Sequence, residues 1–242
     1  MSENRLIKKR KVVKEKTIIN KKKLLIAVLI PILELTLGSL IIPHIPSEWG
    51  KIIVNDLIFF IGFIIALNLY KEVLKEDWKK FKTHLFRNFI FAILAVFISY
   101  FLLSLVRAAL KSFLSAGISS HFDVLSFSTA TASLGLVASL TALMAPFTEE
   151  LIFRHALFYQ WKNRGIVTLL MFLVSSILFG LVHWNNFKGD ISQMIPYMVV
   201  GAWFAVIYYK SKNIWQNIAT HFLFDFIQVL GAILILIISF IQ

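Results

Sequence analysis

The residues best suited to chemistry lie in the stretch 145–154, which reads APFTEELIFR. It places Glu149, Glu150 and Arg154 in an otherwise apolar segment, where each charge costs roughly 2.5–3.5 kcal/mol at the centre of a membrane helix. Glu150 and Arg154 are four residues apart, so on a helix they share a face and can neutralise each other. Charges this costly indicate either a functional site or a buried ion cluster that holds helices together.

Glu149 is the member of this group that could act as a general base. It lies about 100° around a helix from Glu150, so Arg154 is not an obvious partner for it. A carboxylate in such a desolvated setting can take a proton from water and later return it. A purely structural ion pair would not need this second glutamate.

Two histidines follow, each four residues from another informative side chain. Phe179 and His183 share one face of a predicted helix, and His221 and Asp225 share a face of the last one. Asp225 can accept from one ring nitrogen of His221, which leaves the other nitrogen for substrate, water or metal. Either histidine alone could be an interior packing residue, and their combination with two glutamates is what predicts a site.

The depth of these residues gives a partial check on whether they can meet. Counted from a turn near Arg164, Glu149 and His183 could face each other across an antiparallel hairpin, with an offset of roughly 6 Å. His221 lies closer to its own turn and fits less well, unless the 155–164 portion of the hairpin projects beyond the membrane.

The composition limits the chemistry and the solvent. The 242-residue chain is 58% apolar and only 16% charged, which excludes an ordinary soluble domain and indicates a membrane protein. It has no cysteine, so disulfides, thiolate catalysis and cysteine-ligated zinc are excluded. Carboxylates, imidazoles and hydroxyls remain.

Apolar runs long enough to cross a bilayer, which takes about 20 residues, predict about seven transmembrane helices. They lie near residues 24–43, 52–70, 88–106, 133–160, 165–184, 193–209 and 214–240. The expected fold is an all-α membrane protein, with a C-terminal four-helix catalytic core.

The sequence predicts three regions. Residues 1–23 form a basic N-terminal segment with ten Lys or Arg. Residues 24–110 hold the N-terminal transmembrane helices, joined by a linker at 71–87 that is either an amphipathic helix on the membrane surface or a solvated connection. Residues 128–242 form a C-terminal core that carries both glutamates, Arg154 and both histidines.

Basic residues also predict the orientation. The N-terminus, the 71–87 linker, the turn with Lys162 and Arg164, and the pair Lys210 and Lys212 fall on one side, which should be the cytoplasm. The opposite connections carry few basic residues and lie near 44–50, 107–127 and 184–190. We expect an integral plasma-membrane protein of bacterial type. Its basic N-terminus should contact anionic lipid rather than nucleic acid.

The motifs Glu-Glu-x-x-x-Arg, Phe-x-x-x-His and His-x-x-x-Asp, in this order on successive membrane segments, resemble those of the CAAX protease and bacteriocin-processing family (CPBP, also called Abi). That family includes the type II prenyl-protein endopeptidases. The resemblance covers about residues 130–230, and the run Pro146 to Phe153 is especially similar to the first family motif.

The resemblance implies roles for the site residues. Glu149 would activate water with the help of His183, while Glu150 and Arg154 would shape the first motif. His221 would stabilise the oxyanion. The chain departs from the family at two positions: Asp225 stands where asparagine is usual, and His155 stands where glycine is frequent.

Three functions remain open at this point. The first is an endopeptidase that cleaves a membrane-associated peptide, of CAAX type or of leader and bacteriocin type. It needs no obligatory metal, although a divalent ion such as zinc could be held by Glu149, His183 and His221. The second is a non-proteolytic self-immunity or scaffold protein of the same family. The third is a proton-coupled transporter, which the lack of an internal repeat disfavours.

Overall fold

The computed structural model describes residues 19–111 and 128–241. Most of the basic N-terminal segment, and the part of the predicted outer connection from 112 to 127, lie outside the described residues. The described residues contain helices and no strands. The predicted all-α class is therefore confirmed.

Nine α-helices occur in the described residues, and several are extended by short turns of 3₁₀ or π geometry. They are α1 (Lys21–Ile41), α2 (Glu48–Leu69), α3 (Lys71–Phe81), α4 (Leu85–Leu110), α5 (Thr129–Ala138), α6 (Thr141–Glu149), α7 (Ile166–Leu181), α8 (Ile191–Ser211) and α9 (Ile214–Ile241).

Six helical stretches are long and apolar enough to cross a membrane, and α7 is a shorter apolar helix. They match the seven apolar runs of the sequence, so the prediction of an integral membrane protein is confirmed. The stretches are Lys21–His44, Glu48–Leu69, Lys71–Leu110, Thr129–Trp161, Ile191–Ser211 and Ile214–Ile241.

The outer surface of the bundle is apolar, as contact with lipid requires. Phe86 is 81% exposed, Phe97 69% and Phe101 64%, all on α4. Soluble proteins rarely expose so large and continuous an apolar surface. The polar groups of the chain are concentrated in the interior and at the helix ends.

Side-chain caps set the beginnings of several helices. Asn20 accepts from the backbone N–H of Lys23 at the start of α1, and Ser47 does the same for Gly50 in α2. Asp190 accepts from the N–H of Ser192 at the start of α8. Each cap satisfies a backbone donor that the first helical turn leaves free.

The 71–87 linker begins as helix α3, which agrees with the amphipathic alternative; its position on a membrane leaflet remains a prediction. The helix docks on the start of α9. Asp77 Oδ2 accepts from the N–H of Ile214 at 2.9 Å, and the Trp78 ring packs 4.9 Å from Trp215. This contact fixes where the last helix, with His221, enters the bundle.

Helices α7 and α8 pack closely because glycines face the contact. A Cβ on Gly180 would clash with the Met198 side chain, and one on Gly201 would lie 2.8 Å from the Phe179 ring. Substituents at these positions would separate the helices. The two glycines therefore let Phe179 and the Gly201 backbone approach the site.

Candidate active site

The first motif lies where an α-helix changes into a π-helix. Helix α6 ends at Glu149, and residues Glu150–Phe158 form a π-helical segment. Because i→i+5 bonds place more residues in each turn, the segment is wider and rises less per residue than an α-helix. The side chains of Glu149 and Glu150 thus project from the chain where the α-helix meets the π-helix.

The structure differs from the sequence-based depth count, which used the α-helical rise throughout and favoured His183 over His221 as the neighbour of Glu149. Between Glu149 and the turn at 162–165 the chain is first π-helical and then 3₁₀-helical, so a count at the α-helical rise does not apply there. The Glu149 carboxylate lies 4.0 Å from His221 Nε2.

Glu150 is fully buried and held by three groups. Its Oε1 lies 3.3 Å from the Arg154 guanidinium and accepts from His221 Nδ1 at 2.8 Å. Its Oε2 accepts from the Asn217 side-chain amide at 2.9 Å. The predicted pairing of Glu150 with Arg154 thus exists, and the carboxylate is fully occupied by structural partners.

Arg154 is also fully buried and lies against aromatic rings. Its guanidinium carbon is 3.8 Å from the centroid of Phe179, and its Nη2 donates to the Gly201 carbonyl at 3.4 Å. A guanidinium over an aromatic face is stabilised by the ring quadrupole, most strongly where water is excluded. Phe179 of the second motif therefore supports the arginine of the first.

His221 has a carboxylate near each ring nitrogen. Nδ1 contacts Glu150, and Nε2 lies 3.4 Å from Asp225 Oδ2 on the next turn of α9. The sequence predicted the contact with Asp225 and left the second ring nitrogen free. In the structure that second nitrogen, Nδ1, is instead hydrogen-bonded to Glu150. A neutral imidazole can donate to one of these carboxylates, and an imidazolium can donate to both.

Glu149 and Asp225 reach a large cavity, unlike Glu150. Their side chains are 18% and 19% exposed, and both line a cavity of about 880 Å³ together with His183 and His221. Glu149 is therefore the glutamate of the pair that water and a substrate can approach. Its role as the base that activates water remains a prediction.

His183 lines the same cavity, with its ring stacked 4.5 Å from that of Tyr197. Its Nδ1 lies 3.1 Å from the Phe179 carbonyl, which can only accept a hydrogen bond. In that bond Nδ1 carries the proton, and Nε2 is left as an acceptor. The ring is thus oriented by its own helix and by α8.

The cavity has a second wall from the N-terminal helices. Glu34 of α1, Asn55 of α2, and Tyr100 and Arg107 of α4 line it. Glu34 Oε1 is buried without a hydrogen-bond partner. The cavity therefore lies between regions that the sequence treated as separate, and the predicted domain boundaries remain a prediction.

His155, which stands where the family often has glycine, does not line the cavity. His155 Nδ1 is 2.8 Å from the Tyr208 hydroxyl, and its ring packs 5.1 Å from Tyr70. These contacts fill the space beside α8 that a glycine would leave open. His155 therefore acts as a packing residue in this chain.

The three residues that the sequence offered as ligands, if a metal is present, line one cavity without forming a ligand group. In the described residues, no three His, Asp or Glu side chains are grouped so as to hold a metal ion. His221, one of the three predicted ligands, uses Nδ1 to contact Glu150 and places Nε2 beside Asp225. The present arrangement does not fit the proposed zinc site of Glu149, His183 and His221, and no step below is derived through a metal.

Sequence reasoning missed two residues that support the site. Asn217 is fully buried and donates to both Glu150 and the Phe204 carbonyl. It stands one helical turn before His221, so the face Asn-x-x-x-His-x-x-x-Asp was a usable signal. Gly201 had no comparable signal, because its contact with Arg154 joins helices 47 residues apart.

Residues 130–227 match the family described as Rce1-like, type II CAAX prenyl endopeptidase. We call residues 130–227 the Rce1-like segment, after the family model to which they are similar. The match confirms the resemblance drawn from the three motifs, all of which lie inside it. The Rce1-like segment begins in α5 and ends in α9, so α1 to α4 lie outside it.

The chain also resembles curated bacterial proteins. It is 31% identical over 166 residues to an uncharacterized protein of Mycoplasma capricolum subsp. capricolum, covering 66% of this chain and 47% of that one. It is 30% identical over 93 residues to the "Putative membrane peptidase YdiL" of Bacillus subtilis, with 37% and 34% covered.

A third similar protein is the UPF0177 protein YxdF of Lactococcus lactis subsp. lactis, 30% identical over 79 residues, with 33% of this chain and 40% of that one covered. The matches thus span less than half the length of each of these relatives. No solved structure matches the chain significantly. Among these names, those of the matched family and of the Bacillus subtilis protein describe peptidases.

Proposed function

We propose that this protein is an intramembrane endopeptidase in which Glu149 activates water to cleave a peptide bond of a membrane-associated peptide or protein. One observation carries the proposal. Of two adjacent glutamates, Glu150 is enclosed by Arg154, Asn217 and His221, whereas Glu149 faces a cavity lined by both motif histidines. One acid holds the site together, and the other is available for reaction.

In the proposed reaction, Glu149 takes a proton from water as the water oxygen attacks the carbonyl carbon of the scissile bond. The resulting tetrahedral intermediate carries negative charge on the former carbonyl oxygen. When the C–N bond breaks, the proton on Glu149 passes to the departing amine. The products are a carboxylic acid and an amine, so the carboxylate is regenerated.

The histidines assist at different atoms. With its Nδ1 proton directed to the Phe179 carbonyl, His183 can accept a hydrogen bond from the water through Nε2. His221 lies closer to Glu149 and can donate from Nε2 to the oxyanion when the ring carries both protons. Asp225 orients that Nε2–H, in place of the amide that the family usually supplies.

The place of the cavity supports the proposed substrate class. It lies within a bundle of membrane-crossing helices and is lined by apolar and aromatic as well as polar side chains. An extended peptide held near the membrane, of CAAX type or of leader type, suits such a site. The three catalytic side chains come from α6, α9 and the turn after α7, so they require the folded bundle.

The test uses purified full-length protein in proteoliposomes with a quenched fluorescent peptide that carries a farnesylated CAAX end, and with an unprenylated leader-type peptide. We expect Glu149→Gln to reduce cleavage by about 10²–10⁴-fold, as loss of a general base does. Glu48→Gln is the matched control, since Glu48 is an exposed acid at the start of α2. Glu149→Gln protein that cleaves as fast as the parent would overturn the proposal.

A second arm addresses the metal and the scaffold alternatives. We propose that no divalent ion is obligatory, so dialysis against a chelator should leave the cleavage rate unchanged. Loss of activity that Zn²⁺ restores would assign a metallopeptidase instead. A cellular phenotype retained in Glu149→Gln and His183→Ala proteins would favour the non-proteolytic scaffold.

We further infer that the end of the bundle with the N-terminus faces the cytoplasm of a bacterial cell. Lys23 Nζ donates to the Leu69 carbonyl at 3.0 Å, which places the starts of α1 and α3 at one end. Partial burial lowers the pKa of the Lys162 ammonium, and the charges of Lys212 and Lys80 lower it further. The basic turns therefore gather at this end, as the positive-inside rule expects.

A further inference from the structure

A groove on the outside of the bundle, away from the peptidase cavity, combines an apolar floor with a basic mouth. It has a volume of about 950 Å³ and lies between α4 and α8, with its mouth completed by α3 and the start of α9. None of its lining residues takes part in the proposed reaction. The groove belongs mainly to α4, outside the Rce1-like segment, and to α8.

Four cations surround the mouth. They are Lys80, Arg87, Lys210 and Lys212, and no acidic side chain lines the groove. Lys80 is paired with Asp77 at 3.3 Å, whereas in the described residues no ion pair involves the other three. Lys162 adds charge nearby, as its electrostatic coupling to Lys212 and Lys80 shows.

The floor of the groove is apolar and matches a lipid chain in length. Phe91, Leu94 and Ile98 follow Arg87 along one face of α4, and Trp203, Val206 and Ile207 lie opposite on α8. From Arg87 to Ile98 is eleven residues, or roughly 16 Å along the helix. That distance is about half of a hydrocarbon core of about 30 Å, which is the depth of one leaflet.

Hydrogen bonds fix the shape of this groove. The Trp203 indole N–H donates to the Ala95 carbonyl at 3.2 Å, which joins α8 to α4 along the floor. At the mouth, the Gln216 side-chain amide donates to the Asn88 carbonyl at 3.0 Å. Since Ala95 has a small side chain, the space between the flanking rings stays open.

We propose that this groove binds one glycerophospholipid with an anionic headgroup, with the phosphate at the four cations and an acyl chain between α4 and α8. Basic pockets between transmembrane helices at the cytoplasmic surface favour anionic headgroups. The apolar floor requires an acyl chain, which a free phosphate lacks. The site is distinct from the contact expected between lipid and the basic N-terminal segment.

The experiment uses native mass spectrometry of the full-length protein in a zwitterionic detergent with equal amounts of dioleoyl phosphatidylglycerol and dioleoyl phosphatidylcholine. We expect one phosphatidylglycerol to be retained in preference to phosphatidylcholine. The triple variant Arg87→Gln, Lys210→Gln, Lys212→Gln should lower this preference by roughly fivefold for each cation removed.

Two further variants make the result specific. The control Lys71→Gln, Lys75→Gln, Lys79→Gln removes three exposed charges of α3 that do not line the groove, and it should keep the preference. Val206→Trp changes no charge and fills the groove, and it should abolish retention. Should the triple variant fail to fold, Lys210→Gln alone is compared with Lys210→Arg, which should restore binding.

Several results would overturn the proposal. One is equal retention of the two lipids, and another is an equal loss of preference in the α3 control. A third is displacement of phosphatidylglycerol by glycerol phosphate at the same concentration, which would show a phosphate site without a role for the acyl chain. A dimer that the groove substitutions dissociate would assign the surface to a second copy of the chain.

Discussion

At the scale of single residues, Glu150 is the carboxylate on which the rest of the site depends. Glu150 belongs to the π segment, where it pairs with Arg154, and its carboxylate also contacts His221 and Asn217 of α9. It therefore joins the two elements. A buried charge that lost one of these partners would be left with an unsatisfied oxygen or an unpaired ion. The position of Glu149, its chain neighbour, follows from this fixed point.

Asn217 provides the most direct test of that dependence. Asn217→Ala leaves Glu150 Oε2 and the Phe204 carbonyl without their donor in a buried place, so we expect the free energy of unfolding in detergent to fall by about 1–3 kcal/mol. Cleavage should fall as well, because the Glu150 carboxylate that orients His221 is no longer fixed.

Asn68→Ala is the control for that change. The Asn68 amide is exposed and bonds only the Ile64 carbonyl of its own helix, so its removal should alter stability by less than about 0.5 kcal/mol. If both alanine variants unfold at the same denaturant concentration as the parent, the network around Glu150 does not stabilise the protein.

Residue types and spacing were enough to predict the acids and histidines of the site, because the charges at 149, 150 and 154 are costly in lipid and helical periodicity gives their faces. The partners that join different helices were not predictable. Glu150 contacts His221 and Asn217 across about 70 residues of sequence, and no periodicity encodes which rings meet. The occupied Nδ1 of His221 was missed for this reason.

At the scale of elements, the close packing of α7 on α8 positions the second motif. Gly201 allows Phe179 to lie against α8, where its ring supports Arg154. Gly201→Ala places a Cβ 2.8 Å from that ring and 3.2 Å from the Ser176 carbonyl. We expect the overpacking to reduce the free energy of unfolding by about 1–3 kcal/mol and to reduce cleavage.

Gly135→Ala in α5 is the matched control. A Cβ there meets no atom within 4 Å, so the same substitution should stabilise the helix by about 0.5–1 kcal/mol through lower chain entropy. Thermal unfolding of the two variants in one detergent gives the comparison. If both substitutions change the stability in the same direction, the contact at Gly201 does not determine the stability change there.

Most of the elements were predictable; the exceptions are the break between α5 and α6 at residues 139–140 and the π segment. Long apolar runs bounded by caps such as Ser47 and Asp190 give the helices within a few residues. The change to i→i+5 bonding after Glu149 was not predictable, because the pattern of apolar residues does not distinguish α from π geometry. The depth count assumed α geometry through residues 150–158 and did not anticipate how close His221 lies to Glu149.

At the scale of the whole molecule, the N-terminal helices and the Rce1-like segment enclose one cavity. Glu34 of α1 and Tyr100 of α4 line it together with Glu149, and the Tyr100 hydroxyl donates to the Phe224 carbonyl of α9 at 2.8 Å. The N-terminal helices are thus part of the site, although they carry none of the three motifs. Sequence alone predicted their existence but not this role.

The orientation of the bundle can be tested by labelling single introduced cysteines, because the chain has no cysteine of its own. His44 lies in the exposed connection between α1 and α2, and Lys79 is exposed on α3, near the opposite ends of helices that cross the membrane. Because basic residues gather on the Lys79 side, we expect that side to face the cytoplasm.

In intact cells, a membrane-impermeant maleimide should therefore label the His44→Cys protein and should label the Lys79→Cys protein only after the membrane is permeabilised. A permeant maleimide should label both variants equally, which controls for expression and reactivity. Labelling of Lys79→Cys alone in intact cells would reverse the orientation. It would also place the basic mouth of the α4–α8 groove at the outer leaflet, where a different set of lipids would reach it.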